Sequence, residues 1–221
     1  MILSEHMEPH RSSPGLEHGK PPLPPGVLRV AANLRAISPP SSRGRVIMVA
    51  PVTENLPTGQ LARDLAQALE LLHESPVLVL DAQLGEPSQR EDTTPTVECT
   101  FENGTGTDSK SMALALQSGE NRTLTLARVN PSGLSPASLF SSPMFAAFVQ
   151  DACNRFRYIV VEGACLTRSD ETLILAQHAD GVILVVSAEK STIQEVCSSR
   201  DEVTRGGGNL LGFIWDQTVH P

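Results

Sequence analysis

Residues 46–72 read VIMVAPVTENLPTGQLARDLAQALELL: an unbroken apolar run, a turn-rich stretch holding two prolines, then leucines at helical spacing. Leu61, Leu65, Leu69 and Leu72 share one helical face, with Arg63, Asp64, Gln67 and Glu70 away from it. A strand that is apolar throughout, without apolar/polar alternation, is covered on both faces, as strands of a parallel sheet are. The same unit recurs outward from this stretch. Further strands are expected at Val77–Leu80, Thr123–Ala127, Tyr158–Val161, Val182–Val186 and Leu211–Trp215. Helices are expected at Val27–Ile37, where Pro39–Pro40 stops the pattern, and at Lys110–Leu116, Ser138–Asn154, Glu171–Gln177 and Ile193–Thr204. Strands alternating with helices predict an α/β fold: a mostly parallel central sheet with helices on both faces, in three layers. The polar, Gly/Thr/Pro-rich segment Gly85–Asp108 reads as a long loop. In such sheets ligands bind at the C-terminal ends of the strands, so the loops after Ala50, Leu80, Val161, Val186 and Trp215 are the ones to inspect.

The chain has 221 residues, 17 Lys plus Arg against 25 Asp plus Glu, and a formal net charge of −8. That length predicts a single domain over 27–221, preceded by a flexible Pro-rich tail over 1–26 that ends in KPPLPP. Such a domain buries roughly 70% of its unfolded surface and needs no metal or disulfide to fold. The acidic balance argues against a nucleic-acid partner, which would call for a basic footprint. The lysines are Lys20, Lys110 and Lys190, and none lies between Ala50 and Leu61.

Cys99, Cys153, Cys165 and Cys197 form no C-x-x-C unit, and Cys153, Cys165 and Cys197 read as small buried hydrophobes. No signal-peptide pattern and no apolar run near the ~20 residues of a membrane span is present, which predicts a cytoplasmic protein. Asn103 and Asn121 in N-x-T matches are then chance. Among other candidates, Lys190 reads as a solvated residue paired with Glu189 or Glu195. Gly206–Gly208 reads as a helix C-cap and loop, not a dinucleotide fingerprint. The histidines lack metal-site spacing, and Asp151, Asp170, Asp201 and Glu202 read as solvated helix charges. Trp215 fits either the core or a partner-facing position.

Strand, loop and amphipathic helix over 46–72 have the layout of a phosphate-binding loop, and here the chain resembles the capsular and exopolysaccharide tyrosine autokinases. These are P-loop NTPases related to the ParA/MinD ATPases. Their loop carries Gly-Lys-Ser/Thr; aligned by the following helix, those positions fall on Pro57, Thr58 and Gly59, with Gln60 next. Proline has no N–H to offer a phosphate. Thr58 in place of lysine forgoes a charge-assisted bond of roughly 1.5–3 kcal/mol. Gly59 has no hydroxyl for magnesium, although Thr58 stands one register away, and Glu54 adds a negative charge. VLVLDAQLGEP resembles the family's Asp-x-Asp element, with Asp81 kept and Gln83 in place of the second carboxylate. FRYIVVEGA resembles the Walker B strand, ending in Glu162 instead of Asp. HADGVILVV and LLGFIWDQ match later segments, with Asp216 where the family has an Asn near the base. The family's Glu-x-x-Arg-x-x-Arg ring motif reads Pro25, Leu28 and Ala31, and the sole tyrosine, Tyr158, begins a buried strand.

The resemblance, running from about Val27 to Val219, therefore implies a degenerate member. Its nucleotide site would be vestigial, at Pro57, Thr58, Gly59, Gln60, Asp81, Glu162 and Asp216, with no catalytic residue and no metal ligand. The implied role is a non-catalytic pseudokinase of exopolysaccharide biosynthesis or export. It would bind a membrane polysaccharide co-polymerase or chain-length regulator, at the inner membrane through that partner, and need no cofactor. One alternative is a divergent ATPase using ATP and magnesium with Lys190 as a displaced lysine. The other is a ParA/MinD-like positioning adaptor.

Overall fold

The computed structural model describes residues 23–37, 43–84, 97–100, 124–130 and 133–216. Helix α1 spans Pro25–Ile37, strand β1 Arg45–Pro51, helix α2 Thr58–His73 and strand β2 Val77–Asp81. Strands β3 (Val97–Thr100) and β4 (Leu124–Asn130) follow, then helices α3 (Pro136–Phe140) and α4 (Pro143–Arg155). Strand β5 (Tyr158–Glu162), helix α5 (Asp170–Ala176), strand β6 (Gly181–Ser187), helix α6 (Ile193–Arg205) and strand β7 (Leu210–Asp216) complete the described chain. All strand pairs are parallel, in the order β3-β4-β2-β5-β1-β6-β7. The expected α/β class is borne out.

The unbroken apolar runs are explained by two cores. Ile47, Val49, Val79, Tyr158, Val160, Ile183 and Val185 face α1 and α2, where Leu65 and Leu69 are fully buried. Met48, Ala50, Leu78, Leu80, Ile159, Val161, Leu184 and Val186 face the other core with Phe140 and Phe145. Each fully buried leucine contributes about 1.5–3 kcal/mol relative to exposure. Residues of opposite parity on one strand thus both need apolar side chains.

Five sequence expectations need correction. The segment 85–108 is not all loop: β3 lies within it, pairing with the free edge of β4, and Cys99 there is buried. The helix expected over Ser138–Asn154 is two helices, because Pro143 opens the second at its first turn and Ser142 caps it through the Phe145 N–H at 3.1 Å. Cys197 is exposed, not buried. Leu72 sits at the rim of the α2 face, 37% exposed. Helix α1 begins at Pro25, two residues inside the expected tail. The helix expected at Lys110–Leu116 lies outside the described residues, as does most of 1–26. Trp215 faces outward on the edge strand, 58% exposed.

Candidate functional site

All strands end at one edge of the sheet, and there an open cleft of about 510 Å³ lies beside the turn between β1 and α2. The turn is tied down at its start. The Val52 N–H donates to the Val185 carbonyl at 3.0 Å, and the hydroxyls of Thr53 and Ser191 meet at 3.0 Å. Asn55 adopts φ 60°, the left-handed region. Pro57 occupies the N-cap of α2 and provides no capping side chain. The Thr58 N–H, the next in line, is turned onto the Leu56 carbonyl at 2.8 Å. A phosphate cradle is built from outward-pointing N–H groups. At two successive positions, 57 and 58, that donor is missing or spent.

The Thr58 side chain is 1% exposed and donates its hydroxyl to Glu162 Oε1 at 3.1 Å, with Glu162 itself 2% exposed at the end of β5. From the loop after β2, the Gln83 amide nitrogen donates to Glu162 Oε1 at 3.0 Å, Thr58 Oγ1 at 3.2 Å and the Gly163 carbonyl at 3.2 Å. Three of the expected stations (the lysine position, the second carboxylate position and the Walker B position) therefore do meet, and they close on one another.

The other stations are elsewhere occupied or apart. Asp81 receives the Gln83 N–H on Oδ1 at 3.2 Å and pairs through Oδ2 with Arg128 Nε at 3.1 Å. Gln60 is exposed and donates its amide to Asp64 at 2.7 Å. Gly59 is buried in the first turn of α2. Asp216 ends the edge strand β7, which β6 separates from β1. Glu54 and Arg168 stand 3.9 Å apart, both largely exposed, a pair worth little in water. Among the described residues, no group of three or more His, Cys, Asp and Glu side chains is arranged to hold a metal ion.

Lys190 differs from its expectation. It does not pair with Glu189 or Glu195; its ammonium donates to the Asn55 carbonyl at 3.3 Å, reaching the β1–α2 turn from the loop after β6. Glu195 is engaged in a capping box with Thr192, whose N–H and hydroxyl both donate to it at 2.8 Å. Those bonds hold the Glu195 carboxyl below its ordinary value. Arg128 escaped the sequence reading. The signal that finds it is strand register, which sets Asp81 directly beside Arg128 on β4. Cys165 also lines the cleft, buried, with its thiol donating to the Val52 carbonyl at 3.4 Å.

Comparison with known proteins gives a consistent neighbourhood. The chain is 25% identical over 91 residues to a putative tyrosine-protein kinase, CapB, of Staphylococcus aureus, covering 41% of this chain and 40% of that one. It is 27% identical over 145 residues to the tyrosine-protein kinase YwqD of Bacillus subtilis, covering 62% of this chain and 58% of YwqD. The chain thus spans about half the length of the curated relatives it matches. No protein-family model matches. Among solved structures, the chimerical protein CapA2B2 superposes with a TM-score of 0.70 at 17% identity, over 92% of this chain and 88% of that one. The kinase domain of the Escherichia coli tyrosine kinase ETK gives 0.61 at 13% identity, over 88% and 78%. These superpositions establish the fold. Both curated matches are to proteins named as tyrosine-protein kinases, to which the chain is similar over part of its length.

Proposed function

We propose that this relative of the polysaccharide tyrosine kinases is a non-catalytic pseudokinase, a folded binding partner in exopolysaccharide biosynthesis or export that holds no nucleotide. The observation that carries the reading is Thr58. In the lysine's place stands a 1% exposed side chain whose hydroxyl is committed to Glu162 and whose N–H is committed to Leu56. Phosphoryl transfer depends almost wholly on positioning and on stabilising phosphate charge. With no lysine in the loop itself, a proline at the preceding residue and Asp81 engaged by Arg128, the loop's own residues perform neither task.

The reading supports a protein partner of the kind the family resemblance implies, a membrane polysaccharide co-polymerase or chain-length regulator, met at the inner membrane from the cytoplasm. No helix among the described residues is long and apolar enough to cross a membrane. The test is direct. Purified protein incubated with ATP and magnesium, alone and with the co-polymerase's cytoplasmic segment, releases no phosphate, while the segment binds in a titration. Phosphate release abolished by Glu162→Ala would defeat the reading.

One observation favours a second reading, a divergent ATPase: Lys190 brings an ammonium to the turn at Asn55. Its mark would be an ATP affinity that Lys190→Ala removes and Glu189→Ala leaves intact.

A further inference from the structure

Around the Gln83 amide nitrogen lie three oxygens from three different sources: the Thr58 hydroxyl at 3.2 Å, Glu162 Oε1 at 3.0 Å and the Gly163 carbonyl at 3.2 Å. A hydroxyl, a carboxylate and a carbonyl gathered on one point form a donor set suited to a hard cation. The distances decide what it holds. Magnesium sits about 2.0–2.1 Å from its oxygens, whereas an N–H donor sits about 2.7–3.2 Å from an acceptor. At 3.0–3.2 Å all three contacts are hydrogen-bond lengths from the amide nitrogen, which stands where a cation would have to sit. We infer that the Gln83 amide is the resident occupant of this position, a built-in substitute for a cation. It fastens the start of α2, the loop after β2 and the end of β5 in one arrangement that needs no ligand. This inference rests on the non-catalytic reading above and extends it to how the site is kept in shape.

The neighbouring bonds fix both ends of the clasp. The Gln83 N–H donates to Asp81 Oδ1 at 3.2 Å, and the Ala82 N–H donates to the Glu162 carbonyl at 3.1 Å. On the other side, the Gly163 N–H donates to the Val49 carbonyl at 2.9 Å, which ties the β5 end to β1. Gly163 is closely covered: a Cβ there would lie 2.6 Å from the Met48 methyl group and 3.1 Å from Thr172, so the buried Met48 side chain would have to shift. The amide nitrogen therefore bridges one residue of α2, the last residue of β5 and the residue after it, all from the loop following β2. Where a bound nucleotide and metal would draw such loops together on arrival, here the chain's own amide does so permanently. The protein presents one fixed face at this edge.

Two substitutions test this, each read without nucleotide. Gln83→Ala removes the clasp and should lower the thermal midpoint by about 4 °C or more. It should also speed amide exchange about tenfold in 52–59 and 163–169, with the α4 segment unchanged. Gln83→Glu sets a second carboxylate against Glu162, a repulsion that a divalent cation or a proton relieves. Measured against wild type under the same conditions, its midpoint should fall at pH 8 and recover in millimolar magnesium or at pH 5, while the wild-type midpoint ignores magnesium. Gln83→Glu decides the matter if Gln83→Ala yields no folded protein. Wild-type exchange and midpoint in Gln83→Ala, a Gln83→Glu protein indifferent to magnesium, or stabilisation of the wild type by magnesium alone would each overturn the inference. Phosphate release is scored in a separate assay, so failure of the non-catalytic reading is distinguishable from failure of this one.

Discussion

Replacing Thr58 with valine removes one hydroxyl and keeps the branched shape of the side chain. The hydroxyl it removes donates to Glu162 Oε1 at 3.1 Å and accepts from Gln83 at 3.2 Å, between residues 1% and 2% exposed. Removing one partner of a buried hydrogen bond leaves the other unsatisfied at a cost of about 1–3 kcal/mol, and water cannot readily replace a donor at this depth. We therefore expect Thr58→Val to destabilise the fold by about 2 kcal/mol. For a chain of this size that is a fall in midpoint of about 4–8 °C. Thr58→Ser is the control: it keeps the hydroxyl and gives up one buried methyl, about 0.8 kcal/mol. Urea unfolding followed by circular dichroism measures both, with equal slopes required so that the midpoints report stability. Serine should lie between wild type and valine. If valine unfolds within 0.5 kcal/mol of wild type, the Thr58 hydroxyl is not committed to Glu162 and the account of the turn fails.

Other consequences are as specific. His73 lies against Tyr158, its Nε2 3.2 Å from the phenol oxygen, and burial together with Arg35 and Arg157 holds it below its ordinary value of 6.5. The unfolded chain thus takes up the proton first. Stability from neutral His73 is complete above about pH 6.5 and declines as pH falls from there through the folded value. Urea midpoints at pH 7.5 and 5.5 should drop more for wild type than for His73→Gln; equal drops refute the assignment. Gly44→Ala should destabilise by about 1–3 kcal/mol, since a Cβ there would run into the Phe156 carbonyl; an unchanged midpoint contradicts the close approach. Among the four cysteines, Cys197 is exposed and Cys99, Cys153 and Cys165 are buried, so a thiol reagent should label one site in the native protein and four in urea. Rapid native labelling of more than one refutes the packing.

The fold was legible wherever burial leaves a periodic trace. Strands sandwiched between helices must be apolar on both faces, so β1, β5 and β6 stand out as unbroken runs. Strand β3 leaves no such trace: VECT is short and partly polar, and its place comes from the free edge of β4. The break between α3 and α4 was written in Pro143, but apolar periodicity continues across it and masks the turn. At the site, the resemblance of the strand-end motifs to those of the tyrosine autokinases singled out Thr58, Asp81, Gln83 and Glu162 in the sequence. Their mutual closure was not legible, because it depends on rotamers that bring an amide, a hydroxyl and a carboxylate within 3.2 Å. Nor was the Asp81–Arg128 pair, which needs the β2–β4 register. Lys190 misled for a similar reason: Glu195 is nearer in sequence, yet the cap at Thr192 takes that carboxylate and leaves the lysine free to reach Asn55.

The central claim is that this edge of the sheet binds no nucleotide, and calorimetric titration of MgATP into the purified protein tests it most directly. The account predicts no saturable heat up to millimolar ATP. A micromolar dissociation constant abolished by Asp81→Ala or Glu162→Ala would contradict it.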